Sequence, residues 1–102
     1  MKFFRLMLMV LTVGLSANCN GIQFMGVPSC VEWVNRHSTN DGAGMEEWLL
    51  GFLSGLAAGK NIDLLKKAQK DYLYLWIDNY CQANPSGHVD NAAHDLADQL
   101  AD

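Results

Sequence analysis

Residues 71–85 read DYLYLWIDNYCQANP, and this stretch decides the fold. Tyr72, Leu75, Trp76, Tyr80 and Ala83 recur at i, i+3, i+4, i+8 and i+11, while Leu73, Ile77 and Cys81 widen the stripe. That spacing predicts a helix from about Asp71 to Ala83. A helix apolar over most of its circumference belongs at the centre of a domain. Asn84-Pro85 ends it, because proline disfavours helical geometry in the residue before it. Asp78 and Asn79 are the polar exceptions. Their expected role is structural, capping or hydrogen-bonding a neighbouring segment.

Three further helices extend from this centre. Upstream, Ser29 reads as the N-cap of a helix whose Cys30, Trp33 and Val34 share one face at i, i+3, i+4, with Glu32, Asn35 and Arg36 pointing elsewhere. Ser38 to Gly44 is polar and glycine-containing, so it reads as a loop. Met45 to Ala58 is the next helix, carrying Trp48, Leu49, Phe52, Leu53 and Leu56, with a small face of Gly51, Ser54, Gly55 and Ala58. A glycine inside a helix costs about 1 kcal/mol relative to alanine. Gly51 and Gly55 therefore predict close approach of another helix or ring, with a partner-receiving groove as the other reading. Gly59, Lys60 and Asn61 break the pattern, and Ile62 to Lys70 reads as a short helical turn or an irregular segment with Lys66, Lys67 and Lys70 on its solvated side. Downstream of Pro85, Val89, Ala92, Ala93, Leu96 and Leu100 form the narrow stripe of a last helix starting near Ser86 or Gly87. The expectation is an all-α fold: a small bundle of about four helices stapled by one disulfide. Trp33, Trp48, Gly51, Gly55, Trp76, Asp78, Tyr80 and Pro85 are its candidate structural residues.

The N-terminus predicts the compartment. Lys2 and Arg5 precede an apolar run from Leu6 to Leu15, and Ser16-Ala17 supplies the small residues of a cleavage site. The run falls short of the roughly 20 apolar residues of a permanent span, so no stable membrane span is expected. The chain divides into a signal peptide at 1–17, a flexible segment at 18–28 and a single helical domain at 29–102. Export as a soluble protein is favoured over lipid anchoring at Cys19, since Asn18 is not the small residue that lipoprotein processing wants. In an oxidising compartment Cys30 and Cys81 are the natural disulfide pair, with Cys19 left over near the terminus. Their bridge closes a loop of about 50 residues, worth roughly 4 kcal/mol in the chain-entropy account.

Removing residues 1–17 takes away Lys2 and Arg5. Five basic residues then face eleven acidic ones, a net charge of −6. Such a chain is poorly suited to nucleic acid or anionic membranes and better suited to a basic protein partner. Asp41 in the loop, with Glu46 and Glu47 at the start of the following helix, are the candidate partner-binding residues, because recognition commonly sits on a loop of a stapled scaffold. No cofactor is implied, and no two Cys or His residues stand at zinc-ligand spacing, so no metal is expected. Catalysis is not expected either. Asp90 and His94 at i, i+4 make an ordinary surface pair on a helix, and no nucleophile, base and orienting group stand out together.

The segment Trp48-Leu-Leu-Gly51-Phe-Leu-Ser54-Gly55, the run from Leu75 to Pro85 and the closing Ala92, Ala93, Leu96 and Leu100 together resemble a group of small exported bacterial proteins. These are the acid-chaperone (HdeA-like) and type VI secretion immunity (Rap/Tai-like) folds. The resemblance spans roughly Ser29 to Leu100, and its most specific element is Trp76-Ile-Asp78-Asn-Tyr80-Cys81 with Asn84-Pro85 behind it. It implies a compact helical domain held by disulfides in the Gram-negative periplasm. It also implies two alternative functions: neutralising a secreted toxin or cell-wall-directed enzyme, or acting as an acid- or envelope-stress holdase. The immunity proteins usually carry two disulfides, whereas this mature chain can form one internal bridge. The acid chaperone's widely separated cysteines match Cys30 and Cys81 better, and its acid-split dimer leaves a homodimer open here.

Overall fold

The computed structural model describes residues 23–102. The expected signal peptide and Cys19 lie outside that range. Four α-helices follow in order: α1 (Cys30–Val34), α2 (Gly42–Lys60), α3 (Lys70–Ala83) and α4 (Val89–Ala101), with a 3-10 turn at Arg36–Ser38 after α1. Among the described residues there is no strand, only a single antiparallel bridge between Ser29 and His88.

That bridge organises the start of two helices. Cys30 N–H donates to the Gly87 carbonyl at 2.9 Å and Val89 N–H to the Pro28 carbonyl at 3.0 Å, tying the N-termini of α1 and α4 together. The disulfide Cys30–Cys81 then links the same point to α3, with Cα atoms 4.8 Å apart. Gly87 fits closely there: a Cβ would stand 3.1 Å from the Asn84 carbonyl oxygen and 3.6 Å from the Cys30 sulfur. Ser29 caps α1 reciprocally. Its Oγ accepts from Glu32 N–H, and its own N–H donates to the Glu32 carboxylate, satisfying two helix-end donors.

α4 lies between α2 and α3, and α1 packs on α3. The core gathers Cys30 and Trp33 from α1, Leu49 and Leu53 from α2, Leu73, Ile77 and Cys81 from α3, and Val89, Ala92, Ala93, Leu96 and Ala97 from α4, with Leu64 from the turn between α2 and α3. On α3 the buried face is Leu73, Ile77 and Cys81 at i, i+4, i+8. The leading stripe read from the sequence is displaced: Tyr72 and Leu75 are exposed, and Trp76 and Tyr80 are half-buried. The disulfide at Cys81 turns that side inward. Trp76 stacks on Tyr80 with centroids 6.0 Å apart and donates its indole N–H to Gln99 on α4. Pro85 is exposed in the turn after Asn84, which caps α3 in non-helical geometry.

The small stripe of α2 does not face a neighbour. Gly51 and Gly55 are exposed, and a Cβ on either would meet nothing within 4 Å. Each stands two residues beyond an inward leucine, Leu49 or Leu53, and at 3.6 residues per turn that step rotates roughly 200° to the opposite side. The glycine that packing does require is Gly42. There a Cβ would run into the Arg36 carbonyl oxygen. This close approach starts α2 inside the stretch read as a loop.

A second cluster holds α2 on α4. Phe52 stacks on Trp48 at 4.9 Å, and His94 meets it edge-on at 5.4 Å. His94 is therefore half-buried against an aromatic ring rather than a plain surface partner of Asp90. Phe24 closes the cluster at 5.1 Å from Phe52. The end of the segment read as flexible is pinned as well: Met25 C=O accepts from the Trp48 indole, and Pro28 is buried.

Candidate functional site

Arg36, the first residue of the 3-10 turn after α1, is 4 % exposed, against the expectation that it points away from the core. Its Nε donates to Glu46 Oε2 at 2.9 Å, and one terminal nitrogen donates to Asp78 Oδ1 at 2.6 Å and to the Trp33 carbonyl at 3.1 Å. The guanidinium lies 4.2 Å from the centroid of the Trp33 ring. The Trp33 indole N–H donates to the same Asp78 oxygen at 2.7 Å. Asp78 thus collects a cation and an indole from the α1 region onto α3, and Arg36 carries the network on to α2 through Glu46. Burial works against the Arg36 charge. The hydrogen bonds and charges of Asp78 and Glu46 outweigh it and hold the guanidinium above its ordinary pKa. Tyr74, edge-on to Trp33, has its phenol pushed up by burial first and then by the nearby Glu46 and Asp71 carboxylates. Among the described residues, every buried side-chain nitrogen and oxygen has a hydrogen-bond partner.

This network corrects one candidate. Glu46 is engaged with Arg36 and only 24 % exposed, so it serves the scaffold rather than a free recognition surface. Its neighbour Glu47 is exposed, as is Asp41, which precedes α2 with no side-chain capping bond of its own.

Asp41 borders a groove of about 410 Å³ that also takes in Val27, Pro28, Glu32, Met45 and Trp48. Three elements build it. The Pro28–Val89 bond fixes one wall, the capped start of α1 supplies Glu32, and the Arg36–Glu46 pair holds the first turns of α2 alongside. The Ser29 backbone N–H, then the Ser29 hydroxyl, lower the Glu32 carboxyl from its ordinary pKa. Two carboxylates beside a wall of proline, methionine and tryptophan suit a side chain with an aliphatic stem and a cationic head, which is lysine or arginine. Sequence reasoning found Asp41 but missed Glu32 and Arg36. The available signal for Arg36 was its place three residues after Trp33, on the side of α1 where that tryptophan is buried.

Among the described residues, no group of three or more His, Cys, Asp and Glu side chains is placed to hold a metal ion. No described helix is long and apolar enough to cross a membrane. No protein-family model, curated protein or solved structure matches this chain.

Proposed function

We propose that this chain is an exported periplasmic binding protein that captures and neutralises a basic secreted protein, such as a toxin or a cell-wall-directed enzyme. The observation that carries this reading is the groove bordered by Asp41 and Glu32, a carboxylate-edged, apolar-walled cleft on a disulfide-stapled scaffold. A lysine or arginine from the partner seats its stem on Met45 and Trp48 and its charge against the carboxylates. The net charge of −6 left after removal of residues 1–17 steers such a partner inward over distance. The signal-like N-terminus and the resemblance to envelope immunity proteins support the same reading.

The test is a pull-down from periplasm with the oxidised protein lacking residues 1–17, followed by association kinetics with the captured partner. Charge reversal at Asp41 and Glu47 is expected to slow association and flatten its salt dependence while leaving the helical spectrum unchanged. Glu46 is left intact because it supports Arg36. The holdase reading has its own support in exposed apolar side chains: Met25 at 84 %, Leu75 at 58 % and Val31 at 54 %. The two separate when an unrelated enzyme aggregates in the presence of the protein at about pH 3 and about pH 7, either side of the carboxylate range. Protection confined to acid overturns the inhibitor reading. One tight partner with no protection at either pH upholds it.

A further inference from the structure

The five cations of the described chain are sharply segregated. Arg36 is buried and paired, and the other four, Lys60, Lys66, Lys67 and Lys70, all fall within residues 60–70. Lys66 and Lys67 line a groove of about 590 Å³ together with the apolar Leu64, Ala68 and Leu100, the Tyr72 ring, and the polar Asp63 and Gln69. Leu64 is buried, Ala68 and Leu100 are half-buried, and Tyr72 is 45 % exposed. Neither lysine pairs with a carboxylate of the described residues.

We propose that this groove binds a single-chain anionic lipid, a long-chain carboxylate whose head group lies against Lys66 and Lys67 and whose alkyl chain lies along Leu64, Ala68 and Leu100. The volume falls within the range of small-ligand clefts, about 300–1,000 Å³. Two lysines beside an apolar floor select for a molecule that is charged at one end and apolar along its length. Asp63, the one carboxylate on the lining, repels a second anionic group and so disfavours polyanions. An acidic peptide would bring backbone N–H and C=O groups onto Leu64, Ala68 and Leu100, whose side chains offer them no hydrogen bond. An anionic bilayer would meet the repulsion of a protein whose eleven carboxylates outnumber the five cations remaining after residue 17. The proposal stands apart from the acidic groove and from the function assigned to it.

The test is calorimetric titration of the oxidised protein lacking residues 1–17 with laurate kept below its micelle-forming concentration. The expected result is one site that weakens as salt rises. The double variant K66Q/K67Q is expected to lose roughly tenfold in affinity, about 1.4 kcal/mol, and A68W, which fills the groove, to lose binding, both with the helical spectrum retained. K66Q/K67Q leaves the core untouched and decides the matter should A68W fold poorly. Acetate and a nonionic detergent of the same chain length are expected not to bind. Five results overturn the proposal: equal binding of acetate, equal binding of the nonionic detergent, unchanged laurate affinity in K66Q/K67Q, association only with phosphatidylglycerol vesicles, or a lysine-dependent dimer that ignores laurate.

Discussion

Asp78→Ala is the perturbation that most directly tests how the helices are held together. Asp78 Oδ1 accepts from Arg36 at 2.6 Å and from the Trp33 indole at 2.7 Å. A hydrogen bond to a charged group contributes about 1.5–3 kcal/mol, and a buried donor left without a partner costs about 1–3 kcal/mol. Trp33 is fully buried, so its orphaned indole N–H has little access to replacement water. The Asp78 side chain is 26 % exposed, which lets water screen part of the charge term and favours the lower half of the summed range. The expected loss is therefore about 3 kcal/mol. Asp78→Asn keeps one oxygen acceptor without the charge, and about 0.5–1.5 kcal/mol is expected for it, the scale of an ordinary hydrogen bond. The assay is urea denaturation with the disulfide intact, the slope m being checked for constancy so that the midpoint reports stability alone. Combining Asp78→Ala with Glu46→Ala should give a non-additive sum, since both carboxylates share Arg36. A loss below about 1 kcal/mol for Asp78→Ala, the scale of an exposed ion pair, would refute the reasoning.

The glycines offer a contrast on one helix. Gly51→Ala and Gly55→Ala should each stabilise by up to about 1 kcal/mol in thermal or urea unfolding, because both sites are open and helical. Gly42→Ala should destabilise by about 1–3 kcal/mol as its methyl forces the Arg36 carbonyl aside. Cys81→Ser removes a cross-link between residues 51 apart and should lower stability by about 4 kcal/mol, read as a fall in urea midpoint against the oxidised parent. Trp76→Ala should lose about 1–3 kcal/mol, less than a fully buried tryptophan, since its ring is half-buried and its indole bonds to exposed Gln99; a loss as large as that of Trp33→Ala would contradict its placement. Glu32 has a lowered pKa when folded, so its ionised form stabilises the protein above the ordinary carboxylate range, and that contribution is lost as pH falls through the lowered value. Glu32→Gln keeps the reach back to Ser29 without the charge; its stability curve should lie below the parent's at neutral pH and merge with it in acid.

What the sequence determined by itself was everything governed by local chemistry. Four helices follow from 3.6-residue periodicity, the start of α1 from Ser29 with Glu32 three residues on, and the end of α3 from Asn84-Pro85, because caps and prolines act within a few residues of themselves. The Cys30–Cys81 pair was legible from an expected oxidising compartment and from the place of Cys19 near the N-terminus. The direction each helix faces was decided only in the tertiary structure. α3 carries apolar side chains on two stripes, and the one buried is the stripe of Leu73, Ile77 and Cys81, where Cys81 is bridged to Cys30. The outward position of Gly51 and Gly55 follows from Leu49 and Leu53 being claimed by the core. The candidate groove had the same history. Asp41 was readable as an exposed loop carboxylate, but Glu46 was not distinguishable from it until Arg36, folded inward beneath Trp33, took up one and left the other free. A charged group at the end of a long side chain finds its partner across the fold, and that partner is set by how distant segments dock rather than by its neighbours in the chain.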